Sequence, residues 1–408
     1  MENNAARAIC SLRFKVSPAT AFVDYHRAAA RYRFVYTLSA DEVNGGIKML
    51  SCVRRGGFSA FLLAMASVLM TPVSGLSQTL PRITVRRVDL VEMLRTGRWD
   101  TLDHQLSEYE VKAEKDPRFE MTAMVAFGAF DAGNSLIASK LNDCVTAAPN
   151  SYAALVARAT CEVGIAQRYR GTGSGQDVPK ETQAYVDKQL QAAVRDAGEA
   201  IKIHPNLAPA YALRIKAARI DGTDDEMARA KGDALSIVPG SFAVREQIMY
   251  ALRPRWGGTR QAMQQLADSS QYYAQQNPAM QFLTGWVTLD EGDDFADTGK
   301  WSEAIDKYTQ AIQTGGEYWT SYRRSAAAYY ATQQWQKAVS DGTRADDLYP
   351  GNSESLRLLA FATAQLKEPE PSILYIADYM RFEMPEPELF ALVKSDQAEL
   401  KAQGKENW

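Results

Sequence analysis

Histidine and cysteine are scarce in this chain, with three His and four Cys among 408 residues. His26, His104 and His204 lie far apart, and no His-Glu-x-x-His pair, Walker loop or Gly-x-Ser-x-Gly elbow occurs. Those absences remove the common zinc, nucleotide and serine-hydrolase chemistries, and no catalytic, cofactor or metal site is expected. Valine and isoleucine do not alternate with polar residues over a useful length, which argues against a substantial sheet. The apolar run at 58–70 falls short of the roughly twenty residues a membrane span needs. What remains is alanine-rich and mixed in charge, with proline and glycine falling mostly between periodic segments, as helix punctuation does.

The positive signal is a self-match at fixed spacing. Trp301, Ala304, Ile305 and Ala311 recur as Trp335, Ala338, Val339 and Ala345, each 34 residues on, and Gly316 returns as Pro350. Before the second match, Tyr322, Ala326 and Tyr329 fall at helical spacings of four and three. Small Ala326 and Ala338 let two antiparallel helix backbones approach, while rings fill the wedge between hairpins. Weaker echoes run upstream: Ala200 and Pro205 match Ala234 and Pro239, Pro149 ends another helix, and Gly97-Arg98-Trp99 parallels Gly299-Lys300-Trp301.

Tyr322, Ala326, Tyr329, Ala338, Ala345 and Pro350 match the aromatic, small, aromatic, small, small, Pro positions of the tetratricopeptide (TPR) repeat, which this chain resembles. Two positions depart from it. Gln333 occupies the turn where glycine is usual, and Gly342 stands where a large residue is expected. The unit at about 278–316 is also some seven residues too long, and its acidic stretch, Asp290 to Asp297, reads as a solvated loop between helices. The resemblance implies an all-α fold, a right-handed α-solenoid of helix-turn-helix repeats whose first helices line a concave groove for a peptide or partner helix. Carried onto this chain, the groove-facing positions are Thr320, Arg323, Ala327 and Tyr330 in one repeat, and Pro209, Ala212, Lys216 and Arg219 in another.

The N-terminus has the layout of a secretory signal peptide: Arg54 and Arg55, the apolar run, then small residues at Ser74 and Gly75; the alternative is a lone N-terminal membrane anchor, and the membrane is otherwise met only through export. This signal begins near Met49 rather than Met1, so residues 1–48 are expected to be a disordered extension upstream of the true start. The expected organisation is 49–75 signal peptide, 82–282 a degenerate TPR-like domain, and 283–408 C-terminal repeats with capping helices. Residues 1–75 hold nine of the 46 basic and four of the 49 acidic residues, leaving 37 against 45, a net charge of −8. An acidic solenoid is a poor polyanion binder, so nucleic acid is not an expected partner. Cys144 and Cys161 follow the signal, and their offset across a hairpin turning near Asn150 favours buried, unbridged thiols.

Two basic clusters stand out. Arg168-Tyr169-Arg170 closes a long helix ahead of the flexible Gly171–Gly175 stretch, and Arg253-Pro254-Arg255-Trp256-Gly257-Gly258 sets two guanidiniums and an indole on one turn. The second resembles an uncharacterised bacterial domain family with an Arg/Lys-Trp-Gly-Gly turn, over roughly 85–285; that resemblance implies no activity. The candidate partner-binding residues are Arg323, Tyr330, Lys216, Arg219, Arg255, Trp256 and Arg170, a set suited to an extended or acidic segment. The expected function is a non-enzymatic interaction scaffold exported to a bacterial envelope, periplasmic or secreted. The alternative is an enzyme acting on cell-wall or glycan material through a carboxylate pair.

Overall fold

The computed structural model describes residues 79–131, 135–171, 178–383 and 386–405. The signal peptide and the extension before it lie outside these residues, as does most of the Gly171–Gly175 stretch. Seventeen α-helices and no strand occur among the described residues. The first six are α1 (Arg87–Arg95), α2 (Trp99–Lys115), α3 (Glu120–Phe127), α4 (Ser135–Ala147), α5 (Tyr152–Arg170) and α6 (Lys180–Ile203). They are followed by α7 (Ala208–Asp221), α8 (Asp224–Ile237), α9 (Phe242–Ala251), α10 (Arg260–Ser270), α11 (Trp286–Asp297) and α12 (Trp301–Gly315). The chain ends with α13 (Trp319–Ala331), α14 (Trp335–Leu348), α15 (Ser353–Gln365), α16 (Pro369–Phe382) and α17 (Pro387–Ala402).

The 34-residue period is written in the backbone as well as in the side chains. Gly299, Gln333 and Lys367, spaced by 34, have φ of 73°, 58° and 62°. Each ends a first helix in the same way. Lys300, Gln334 and Glu368 donate their N–H groups back to Phe295, Tyr329 and Thr363 at 2.9, 2.9 and 3.0 Å, the longer of the two bonds that stop a helix at a left-handed residue. The third unit, α15 and α16, lacks the tryptophan that marks the other two, but buried Ser372 stands where they have Ala304 and Ala338. Helix starts repeat too. Two residues after Pro149, Pro239 and Pro350 come Ser151, Ser241 and Asn352, whose side chains accept from Ala154, Val244 and Ser355 N–H at 2.9, 3.2 and 3.0 Å.

Gly342 has a plain reason. A Cβ there would lie 2.9 Å from Leu359 Cδ2, so the side chain arrives from α15 and α14 leaves room for it. The acidic stretch is helix rather than loop, because Asp290, Asp293 and Asp294 share one face of α11 and meet arginines described below. The extra length of that unit lies in a 3₁₀ segment, Pro278–Gly285, before α11. There Gly285 crosses the end of α12 so closely that a Cβ would sit 2.5 Å from the Ala311 carbonyl oxygen.

Each hairpin packs on the next, and the last packs on the first. One core joins Leu90, Val91 and Leu94 of α1 with Leu356, Ala360, Ile376 and Phe382 of α15 and α16. A second joins Met121 and Phe242 with Trp286, Tyr308 and Tyr318. Both contain residues from either side of position 282. Cys144 and Cys161 are buried free thiols, pushed by burial up to about 11 and about 12. His204 ends α6 with its ring stacked on Tyr152 at 4.7 Å and bonded to Glu114.

Candidate functional site

A cavity of about 670 Å³ opens among the odd-numbered helices. Residues of α3, α5, α7, α9, α13 and the start of α15 line it, and no even-numbered helix contributes. The first helices α5, α7, α9 and α13 thus face this cavity. Seven cationic side chains and three carboxylates line this space. Arg170, Lys216, Arg219, Arg255, Trp256 and Arg323, read from separate parts of the sequence, are brought together there. Tyr330 is not. It lies two helical turns beyond Arg323, and its ring packs edge-on against Trp335 at 5.0 Å. Thr320 is fully buried, and Ala327 is exposed and does not line the cavity.

The Arg253–Gly258 turn is built from below. Pro254 starts a single 3₁₀ turn, and Gly257 follows at φ 85°. Gly258 admits no side chain, since a Cβ would stand 2.1 Å from the Leu252 carbonyl oxygen. Arg253 anchors the turn from a position only 6% exposed, pairing with Asp290 at 2.6 Å and with Asp293. Asp293 also meets Arg324 from α13, and Asp290 meets Arg260 of α10 at 2.9 Å. The carboxylates of α11 therefore neutralise Arg253 and Arg324 of the cavity wall and Arg260 outside it, and Tyr308 donates to Asp293 at 3.0 Å. Sequence reasoning missed this role, though the i, i+3, i+4 spacing of the three aspartates carries the signal.

On the cavity side the balance differs. Lys216 pairs with Asp131 at 3.1 Å, and Arg323 with Glu354. Glu246 is buried in the wall, takes a hydrogen bond from the Tyr318 hydroxyl, and is pushed by burial up to about 7. Arg219 has no such partner among the described residues. Its guanidinium stands 5.4 Å from the centre of the Tyr250 ring and 4.9 Å from that of Trp256. Its Nε is buried without an acceptor. Burial first, and then the like charges of Arg253, Arg170 and Arg255, draw its pKa down to about 10. Arg170 stands 5.0 Å from the same indole, so Trp256 carries two guanidiniums. Among the described residues no cluster of His, Cys, Asp and Glu suits a metal ion.

These hairpins and their inward-facing first helices define a TPR-like α-solenoid with a cationic concave cavity. A domain of unknown function (DUF4034) matches residues 86–223 and 231–286, a stretch that contains the Trp256 turn. No curated protein matches the chain. Among solved structures, the chain is similar to PilW, described as a widely conserved type IV pilus biogenesis factor, at 15% identity and TM-score 0.28, over 54% of this chain and 90% of PilW. The TPR domain of P58(IPK) is similar at 13% identity and TM-score 0.32, over 78% and 98% of the two chains. Yeast Tom70 is similar at 13% identity and TM-score 0.39, over 80% and 67%. None of these likenesses is close enough to bring a function with it.

Proposed function

We propose that this chain is a non-enzymatic protein-interaction scaffold that receives an acidic segment of a partner protein in its concave cavity. The observation that carries the reading is Arg219, a largely buried cation near the rings of Tyr250 and Trp256 with no carboxylate paired to it among the described residues. Leaving a buried charge without a counterion is costly unless a ligand supplies one. The walls are helices, so their main-chain donors and acceptors are consumed internally, and recognition falls to side chains. Export to a bacterial envelope, periplasmic or secreted, with a signal peptide starting near Met49, belongs to the same proposal and rests on the layout of residues 49–75 alone.

The enzyme alternative needs two carboxylates facing one another across about 5–10 Å. The three carboxylates of the cavity are each engaged, Asp131 by Lys216, Glu354 by Arg323 and Glu246 by Tyr318. That favours binding over hydrolysis. The test is the double variant Arg219→Glu, Arg323→Glu, with affinity purification from the native envelope before and after substitution. Loss of the proteins captured by wild type is expected, and undiminished capture would rule out the concave surface. Mass mapping of the precursor decides the start: an N-terminus at Met49 is expected, and one at Met1 would refute it.

A further inference from the structure

We propose that an acidic segment enters this cavity together with a proton, taken up by the Glu246 carboxylate, so that capture strengthens as pH falls. The inference rests on the reading of the cavity as a groove for an acidic segment and adds how its binding is regulated. Of the three carboxylates lining the cavity, Asp131 and Glu354 stand beside cations, Lys216 and Arg323. Glu246 differs. It is 4% exposed, and its oxygens meet neutral donors, the Tyr318 hydroxyl and, at 3.4 Å, the Gln247 side-chain amide. Among the described residues it joins no ion pair, and Lys216, whose charge acts on it, turns to Asp131 at 3.1 Å.

Two facing helices bring the ligand site and Glu246 close. Lys216 and Arg219 lie three residues apart on α7, and Glu246 and Tyr250 four apart on α9, so each pair shares one helix face. The faces meet at both levels: Lys216 acts on Glu246 through its charge, and the Arg219 guanidinium stands 5.4 Å from the centre of the Tyr250 ring. An anion that reaches Arg219 therefore arrives about one helical turn from the Glu246 carboxylate. Two like charges that close in a desolvated wall disfavour each other, and the buried one takes a proton.

The surroundings assign that proton to Glu246. It is faced by Lys216 and Arg219 from α7, by Glu120 from α3, by Tyr318 at the entry to α13 with Arg323 and Arg324 beyond, and by Tyr349 past α14; Tyr250 shares its helix. Glu120 is held by four donors, from Ser241, Phe242, Ala243 and Asn277. α8, through Ala230 and Ala234, and α10, through Leu266, pack on the core of Val244 and Ile248, which lie on the other face of α9. The 3₁₀ segment Pro278–Gly285 carries no ionisable side chain. Burial raises the Glu246 pKa to about 7, against the lowering effect of the Tyr318 hydrogen bond and the Lys216 charge. A bound anion raises it further, so the complex holds more protons than the free chain and affinity grows as pH falls through neutrality. Ligand glutamates, titrating near about 4.3, stay ionised over that range.

The experiment is calorimetric titration of the full chain with the acetylated, amidated pentapeptide Gly-Glu-Glu-Glu-Gly at pH 6, 7 and 8. A coupling of about tenfold between ligand charge and the Glu246 proton makes affinity about fivefold higher at pH 6 than at pH 8. Titration at pH 7 in buffers of different ionisation enthalpy should show uptake of about 0.4 proton per peptide bound. Glu246→Gln is expected to hold nearly the pH 6 affinity of wild type at all three values and to take up no proton. Tyr318→Phe, which removes a hydrogen bond to the charged carboxylate, should move the midpoint of the pH dependence upward. Should Glu246→Gln fail to fold, that shift and the proton uptake of wild type decide. Wild-type binding that is flat in pH, or a pH dependence that survives in Glu246→Gln, overturns the inference and leaves the groove reading standing. Binding at none of the three pH values overturns both.

Discussion

Arg87, the first residue of α1, donates from its guanidinium to the carbonyl oxygen of Gly351, 264 residues further along the chain. A second nitrogen reaches the Gly128 carbonyl, and the rings of Tyr349 and Phe382 stand 5.5 and 4.7 Å away. The beginning of the superhelix is thereby fastened to its last repeats, close to where Tyr349 and Asn352 reach the cavity.

Arg87→Met keeps most of the packing but strands two carbonyls. Because a buried acceptor without a donor costs about 1–3 kcal/mol, the variant is expected to lose about 3 kcal/mol in urea unfolding. A loss below about 1 kcal/mol would show that the closure does not depend on this residue.

Gln333 tests the repeat itself. Its φ of 58° is the conformation that Gly299 adopts freely one period earlier. Replacing a left-handed non-glycine residue with glycine relieves strain of about 1 kcal/mol, offset in part by the added freedom of the unfolded chain. Gln333→Gly is therefore expected to raise the melting temperature slightly. A lowered one would mean that Gln333 holds its turn by contacts the repeat pattern does not contain.

Burial pushes Glu110 and Glu162 up to about 8 and Glu246 up to about 7. In the unfolded chain a glutamate titrates near about 4.3. Between these values the folded state binds more protons than the unfolded one. These residues therefore favour folding at low pH, and their contribution is lost as pH rises from about 4.5 to 8. Glu110 is nearly sealed from solvent and has a carboxylate oxygen without a partner. Glu110→Gln is expected to be nearly neutral at pH 5 and to stabilise by on the order of 2 kcal/mol at pH 8.5. A difference from wild type that stays constant across that range would contradict the assignment.

The repeats were legible where side chains repeat: Trp301 and Trp335 both start second helices, and Ala304, Ala311, Ala338 and Ala345 are all buried. The third C-terminal unit was not, because Pro369 replaces the tryptophan and only the backbone at Lys367 keeps the period. The acidic stretch of α11 misled by composition, since four aspartates and a glycine read as loop until the opposing arginines are known. Convergence of Arg170, Arg219 and Arg323 in one cavity follows from superhelix closure, a long-range relation that local periodicity does not encode. Tyr330 shows the limit from the other side: the helix face was right for Arg323, yet the cavity ends before the next two turns.

Site-specific photocrosslinking in the native cell tests the central claim most directly. A benzoylphenylalanine at Ala212, which lines the cavity, should form an adduct with a partner, while the same probe at exposed Gln336 on α14 should form none. Adducts at Gln336 with none at Ala212 would place recognition on the outer helices and contradict the account.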